Sequence, residues 1–549
     1  MADRVTGAST AEQLGEDERQ LADLGYKQEL SRAWSGFTNF AISFTIISVL
    51  AGCFTNFSFA WNAGGPAAIA IGWPILCGFV LLVALSMAEL TSAFPTAGGP
   101  YWWAARLGGP GWSWFTGWFN IVGLVGIVAG VGYGAAFFAQ ATLALYGVNV
   151  LGINFGTTNP TTILHETFLL FLIILLLYTL VNIFADRLLA LFNNISVWWH
   201  VVGVLVIIAL VAFVPSHHAS ISFVFGHRLN NTTFHGGATS GAFFWLYVIP
   251  VGFILTMYTQ TGYDASAHTA EETRGAAIGA AKGVWRSVFY SAIAGWAVLL
   301  ALLFAATHVG AINAAGGGSI PVIETGLTSW AAKFVLIICT VGQLFCGAAG
   351  LTSASRTWYA FSRDRGMPGW GLFKRVNAQR VPLYAVLAVS IAALIITIPA
   401  YFGNKKGVPW AYFAITAICT VGLYLAYIIP VFLRVRQGSG FQVGPWNLGR
   451  HYEWINIGAI VFVIIVLYAL DIPTVPTGVP WNKGFDLTTV NYSPLVLAVG
   501  VVVAIWWLVS AKNRYKGPVR TIDTDELGHV IEPPADTPSK GPAIAGGGE

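Results

Sequence analysis

Charge is scarce in this chain. Of its 549 residues, 9% are Asp, Glu, Lys or Arg, against roughly 25% in ordinary soluble domains. That scarcity excludes a soluble globular enzyme and a disordered protein, and no basic run suggests nucleic acid. Cysteine is also sparse. The five (Cys53, Cys77, Cys339, Cys346 and Cys419) all lie in apolar stretches without metal-ligand spacing, so buried free thiols are expected rather than a disulfide framework. No glycine loop followed by Lys and Ser/Thr is present to cradle a nucleotide phosphate. His217-His218 has no third ligand nearby, and Asp264, His200 and Glu89 are scattered over different apolar runs. No enzyme and no metal site are expected. No repeated pore-loop signature points to a channel. The first 35 residues carry 7 acidic and 4 basic groups and lack the basic start and apolar core of a cleavable signal peptide.

Apolar residues are what the chain has in abundance. They make up 56% of it, aromatics 14%, with 22 Trp and 62 Gly. Tryptophan suits membrane–water interfaces and glycine suits closely packed membrane helices. The expected class is an all-α polytopic membrane protein. A helical span needs about 20 apolar residues. Twelve such runs fall near 36–60, 67–92, 112–144, 166–185, 188–214, 243–267, 286–308, 329–361, 382–402, 409–434, 453–471 and 494–511, numbered here as spans 1 to 12. The short alternating segments of a membrane β-barrel do not appear. The organisation expected is a cytoplasmic tail over 1–35, a transmembrane domain over 36–511 and a Pro-, Gly- and acid-rich disordered tail over 512–549.

Basic residues choose the side. With both tails in the cytoplasm, only Arg228, Lys333, Lys405, Lys406 and Lys483 lie outside, leaving 23 of 28 inside. Asn230-Asn231-Thr232-Thr233, in a loop assigned to the outside, contains overlapping glycosylation sequons.

Two spans carry polar or flexible residues at membrane depth, where such residues point to function. Span 1 contains Ser48-Val49-Leu50-Ala51-Gly52, and span 6 contains Thr261-Gly262-Tyr263-Asp264-Ala265-Ser266. These are the first members of two five-helix halves, spans 1–5 and 6–10. Glycine-interrupted segments at matching positions point to a transporter binding site. Unwinding frees backbone groups that lipid cannot satisfy and that a zwitterion can. The competing reading is that Gly52 and Gly262 only allow close helix packing.

Several motifs appear in one order. They are Ile46-Ile47-Ser48-Val49-Leu50-Ala51-Gly52; Ser86-Met87-Ala88-Glu89-Leu90 with Phe94-Pro95-Thr96-Ala97-Gly98-Gly99-Pro100-Tyr101-Trp102; and Gly117-Trp118-Phe119-Asn120. Tyr263-Asp264-Ala265-Ser266-Ala267-His268 with Glu271-Glu272-Thr273 follows. Then come Ser355-Arg356, Tyr359-Ala360-Phe361-Ser362-Arg363-Asp364 and Ile418-Cys419-Thr420-Val421-Gly422-Leu423-Tyr424. In this order they resemble the amino acid–polyamine–organocation superfamily of secondary transporters, in particular its amino acid/choline branch of γ-aminobutyrate permeases and bidirectional amino acid transporters. The resemblance implies a twelve-helix, leucine-transporter-like fold with a 5+5 inverted repeat, helices 1 and 6 broken. It implies a plasma-membrane permease that moves an amino acid or related amine by alternating access.

Roles follow from that resemblance together with the chemistry of each residue. The amides from Ser48 through Val49, Leu50 and Ala51 to Gly52, with the Ser48 hydroxyl, suit a substrate carboxylate. The carbonyls near Thr261 and Gly262 suit its amine. Tyr263 reads as an aromatic gate or as packing. Asp264 reads as a partner of the amine or, with slight preference, as a cap for the second half of helix 6. Glu271 and Glu272, expected at the cytoplasmic surface, read as forming an inner-gate ion pair with Arg356 or Arg363 or as solvated charge. Two readings of the coupling ion compete. His200, where several superfamily members place a lysine, is the proton candidate. Thr352 and Ser353, in a segment resembling a sodium site, are the sodium candidates. The proton is preferred, and no other cofactor is expected. A substrate-sensing or facilitating homologue without accumulation is the alternative.

Overall fold

The computed structural model describes residues 10–150, 152–184, 186–403, 410–524 and 530–531. Lys405, Lys406 and most of the stretch beyond residue 524 lie outside them. Eleven helices are long and apolar enough to cross a membrane. They correspond to spans 1–5 and 7–12, from Gly36–Thr55 to Leu495–Arg514. Span 6 starts as a shorter apolar helix, Phe244–Thr259. Apolar runs of this length have no alternative to helix in lipid, because each backbone N–H and C=O must be satisfied within its own segment.

Burial orders the helices from centre to rim. The apolar windows of span 1 and of span 3 (Pro110–Leu145) are each 89% buried, whereas that of span 12 is 17% buried. Span 3 is therefore the central post, with span 8 (Ser329–Arg363) and span 10 (Trp410–Gly440) packed against it. Spans 3 and 10 come so close at Gly422 that a Cβ there would stand 3.1 Å from the Phe119 carbonyl oxygen and 3.3 Å from the Gly123 nitrogen. Small residues allow such backbone approach, and dispersion contacts then hold the helices without any help from a hydrophobic effect.

Spans 1 and 6 are both interrupted. The helix Gly36–Ile47 stops at Ser48, which adopts φ 19°, ψ 91°, and a new helix runs over Val49–Thr55. In span 6, the helix Ile254–Thr259 ends at Gln260, and the chain turns at Gly262 with φ +81° before Ala265–His268 resumes. The two interruptions abut. A Cβ on Gly52 would run into Thr259, and one on Gly262 would run into the Ile46 side chain. Close packing and unwinding were competing readings of these glycines, and the structure assigns one to each. Gly52 is helical and is needed for approach. Gly262 is needed for a left-handed turn that other residues rarely adopt.

The end of the bundle nearest both chain termini is strapped. Trp34 N–H donates to the Glu272 carbonyl (2.9 Å) and Arg274 N–H to the Trp34 carbonyl (3.0 Å), so the strand-like segment before span 1 crosses the chain just after span 6. The first residues of the stretch read as a disordered tail from residue 512 have defined partners. Tyr515 bonds Ser113 (2.6 Å), Val519 N–H donates to Asp364 (3.1 Å), and Thr521 N–H donates to the Gly25 carbonyl (2.7 Å). A buried tyrosine and a paired backbone offset the ordering entropy that composition alone would leave unopposed.

Replacing Gly262 by Ala forces a side chain into the left-handed region and against Ile46. The expected result is about 1–3 kcal/mol of lost stability, read as a lowered melting temperature of the purified protein. An unchanged melting temperature would show that the turn is not fixed as described.

Candidate functional site

A small cavity of about 10 Å³ lies where the two interruptions meet. Span 1 contributes Ile46, Ile47, Ala51 and Gly52, and span 3 contributes Ile127 and Val131. Span 6 contributes Tyr258, Thr259 and Thr261, and span 8 contributes Cys346. Of the residues singled out in the sequence, Ala51, Gly52 and Thr261 reach this wall. Val49, Leu50 and Ser48 sit behind it, fully buried. The first amides of the helix Val49–Thr55 have no intrahelical carbonyl to bond. Those of Ala51 and Gly52 are already taken by the Ser48 carbonyl (2.9 and 3.0 Å).

His200 stands directly behind the span 1 interruption. Its Nε2 lies 2.7 Å from the Ser48 hydroxyl, and its Nδ1 lies 2.8 Å from the Ser196 carbonyl oxygen. A neutral ring with its proton on Nδ1 donates to Ser196 and accepts from Ser48, so one proton satisfies both contacts. The Ser48 oxygen in turn accepts the Ala51 N–H (3.2 Å). His200 thereby fixes the rotamer of the residue that ends the first half of span 1.

The span 8 hydroxyls divide. Thr352 donates to Asn182 of span 4 (2.8 Å), while the Ser353 hydroxyl is buried with no partner among the described residues.

Tyr263 is not on the cavity wall. Its ring is buried against Tyr427, with centroids 4.9 Å apart. The packing reading therefore describes its position in this conformation. Asp264 occupies the N-cap position of Ala265–His268 but makes no capping bond, which corrects the preferred reading of it as a cap. Its carboxylate instead accepts from Tyr427 Oη (2.8 Å) and Asn120 Nδ2 (3.0 Å), and it meets His268 Nε2 at 2.9 Å. These side bonds compete for the oxygens that a cap would need.

Of the ion pairings left open by the sequence, the structure forms one for each glutamate. Glu271 is joined to Arg363 by bonds of 2.9 and 3.0 Å, and Arg356 is joined to Glu272 (2.8 Å) rather than to Glu271. All four side chains are buried, which overturns the solvated alternative. Span 8 presents Arg356 and Arg363 seven residues apart, on one face. Its register against the end of span 6 decides which arginine meets which glutamate. Gln28 donates to the Glu271 carbonyl (2.9 Å), and the Arg363 guanidinium lies 4.0 Å from the centre of the Tyr26 ring. The strap thus covers the ion pairs. A further buried pair, Arg434 with Glu89 (2.9 Å), ties span 10 to the end of span 2.

The opposite end is open. A vestibule of about 820 Å³ reaches down to Thr55, Tyr133 and Tyr412. Asn231 and Asn313 form part of its rim. Both sequon asparagines are engaged there: Asn230 bonds the Phe234 and Ala238 carbonyls, and Asn231 bonds Asn62 and Asn313. Between vestibule and cavity stand the hydroxyls of Tyr133 and Tyr258 and both amide atoms of Gln343, all buried without partners among the described residues, with the Tyr412 hydroxyl beside them in reach of Thr55. They surround Gly130 and Gly134 of span 3: a Cβ at Gly134 would lie 3.1 Å from Gln343 Oε1 and 3.5 Å from Tyr412 Oη. Sequence reasoning missed this group, because single tyrosines in apolar runs carry no signal of their own. The same holds for His268, although it lies within a quoted motif.

Two tests concern the sealed end. Removing one partner from a buried ion pair leaves an uncompensated charge, so Arg363→Gln and Glu271→Gln should each cost about 3–5 kcal/mol in thermal unfolding. The double variant should recover part of that loss. Burial pushes the Asp364 carboxyl up to about 6, against the opposing pull of Arg363, Val519, Tyr101 and Tyr26. A carboxyl with a raised pKa favours the buried state while protonated. Its contribution to the strap is complete below its ordinary value of 3.8 and is lost as pH rises through about 6. Proteolysis of the segment before span 1 should quicken over that interval, and Asp364→Asn should remove the dependence.

The geometry is matched by kinship. The sequence profile of the amino acid permease family matches residues 35–507. The amino-acid permease BAT1 homolog of Oryza sativa subsp. japonica is 36% identical over 92% of this chain and 96% of that protein. Amino-acid permease BAT1 of Arabidopsis thaliana is 34% identical over 92% and 96%. The GABA-specific permease of Saccharomyces cerevisiae is 27% identical over 94% and 88%. The chain is a multi-pass membrane protein and a permease rather than an enzyme, with amino acids as its class of substrate, and it belongs to the amino acid permease family within the amino acid–polyamine–organocation superfamily.

Proposed function

We propose that this permease is a secondary active transporter that moves an amino acid, or a related amine such as γ-aminobutyrate, by alternating access driven by a proton gradient. The observation that carries the reading is the abutment of two interrupted helices at a small cavity beside the central span 3. In this reading span 6 is counted whole, the fold has twelve spans, and spans 1–5 and 6–10 are inverted halves. The start of the helix Val49–Thr55, where the Val49 and Leu50 amides have no intrahelical carbonyl, receives the substrate carboxylate through amides and dipole, with Ser48 held in place by His200. The carbonyls of Gln260 and Thr261 receive the amine. Tyr133, Tyr258, Tyr412 and Gln343 meet whatever polar group the substrate carries at its other end.

Both termini are cytoplasmic in a plasma membrane, in keeping with the distribution of Lys and Arg. The strapped end is then the closed inner gate, and the vestibule is the outward route. Thr352 and Ser353 support a second reading, sodium coupling, because the Ser353 hydroxyl is buried without a partner among the described residues and a hard cation prefers oxygen ligands.

Purified protein in proteoliposomes, given labelled amino acids and γ-aminobutyrate under imposed gradients, tests both. Accumulation driven by an inward proton gradient is expected. Accumulation driven only by sodium would carry the second reading. Ligand binding without accumulation under any gradient would overturn both in favour of a sensor.

A further inference from the structure

We propose that Asp264 and His268 form a proton-binding pair that is loaded in this inner-closed conformation and ties proton occupancy to the inner gate. The proposal rests on the reading of the chain as a gradient-driven permease and assigns that reading a site. Its first support is hydrogen-bond accounting. Both side chains are fully buried, and both ring nitrogens of His268 face oxygen acceptors: Nε2 lies 2.9 Å from Asp264 Oδ2, and Nδ1 lies 3.2 Å from the Ala97 carbonyl oxygen. A carbonyl oxygen cannot donate, and neither can an ionised carboxylate. A neutral imidazole beside an ionised carboxylate has one proton for two such contacts, which leaves one acceptor facing a bare nitrogen lone pair. One further proton satisfies both. It sits either on the ring, as imidazolium with carboxylate, or on the carboxyl, which then donates to Nε2 while Nδ1–H donates to Ala97. His200 differs here, because its Nε2 faces a hydroxyl that can donate.

The second support is charge. The loaded pair is neutral overall. Loss of its proton leaves a net negative charge buried among Tyr427 and Asn120, with Tyr263 and Cys419 close enough to feel it. An uncompensated buried charge is costly. The ions beyond Ala97 are already paired with each other: Glu271 with Arg363, with Arg32 at longer range.

Ala97 is the link to the gate. Its carbonyl faces His268, and its N–H donates to Glu271 Oε1 (3.0 Å), the carboxylate held by Arg363. On its other side, Asp264 accepts from Tyr427 Oη, which itself accepts the Gly262 N–H of the interruption (3.2 Å). One peptide unit therefore touches both proton site and gate, and one tyrosine touches both proton site and substrate interruption. Opening the inner end separates Ala97 from His268, admits water and releases the proton on that side. By linkage, the proton favours the closed inner gate.

The test uses the full chain in proteoliposomes, with labelled amino acid uptake and an entrapped pH indicator. His268→Gln keeps a side chain that donates but cannot titrate. It is expected to retain exchange of labelled for unlabelled substrate, to lose proton-driven accumulation and accompanying proton entry, and to flatten the pH profile of uptake. Asp264→Glu, which keeps a carboxyl, is expected to retain proton coupling with a displaced pH profile. Wild-type coupling and pH profile surviving in His268→Gln would overturn the proposal. So would loss of exchange in His268→Gln together with an unshifted profile in Asp264→Glu, which would make the pair structural. A wild-type protein that accumulates substrate only with sodium would instead remove the proton reading itself.

Discussion

Inside a bilayer, no water is present to bond an unpaired peptide group, so a helix cannot stop at mid-depth unless something else takes up the bonds it gives away. This protein stops two helices there and sets the stops against each other. Much of the bundle reads as the apparatus for tolerating that. Ser48 caps the helix it starts and is itself held by His200. Ser43 donates to the Tyr263 carbonyl (2.9 Å), so the first half of span 1 supplies a bond that the turn in span 6 lacks. Asn39 and Ser266 cross-bond the halves lower down. The two stops meet at a cavity of about 10 Å³, walled by Ala51 and Gly52 from one and by Thr259 and Thr261 from the other.

The same economy governs the sealed end. Four charges are removed from water there, an arrangement that is costly unless every ion is paired and bonded. The pairing is bidentate for Arg363 and Glu271, and the strap supplies Gln28, Tyr26 and Trp34 as further partners. Such a seal is strong while assembled, and it fails as a unit when one member leaves. The open end is built differently, from aromatic rings and amides with no ion pair lining the vestibule, so the two ends differ in how sharply they can switch.

Hydropathy alone placed the helices, because lipid permits an apolar run of this length only one secondary structure. The runs read near 112–144 and 453–471 emerge as Pro110–Leu145 and Tyr452–Asp471. The breaks were visible as glycine and hydroxyl residues at depth, since local conformation is written in local residues. Contact partners were not visible in this way. Arg356 and Arg363 share one face, and Glu271 and Glu272 are neighbours, so the sequence admits both pairings until the register of two helices is known. Asp264 has the right residue type and position for a cap, yet Tyr427 and Asn120, 163 and 144 residues away, claim its oxygens. The tyrosines beside Gly130 and Gly134 were silent for the same reason: their meaning lies in the absence of a partner, which only packing can reveal.

His200 and His268 make the distinction most clearly. Both are buried histidines, and the sequence favours His200, because its neighbourhood resembles a known coupling position. Their surroundings rank them otherwise. A ring between a carbonyl and a hydroxyl can satisfy both nitrogens while neutral, because a hydroxyl both gives and takes. A ring between a carbonyl and a carboxylate cannot do so without one more proton in the pair. The first arrangement suits a strut that must not change with pH, and the second suits a site whose occupancy must change. The two histidines thus differ in the donor and acceptor character of the atoms they touch, and the proposed proton site follows from that difference.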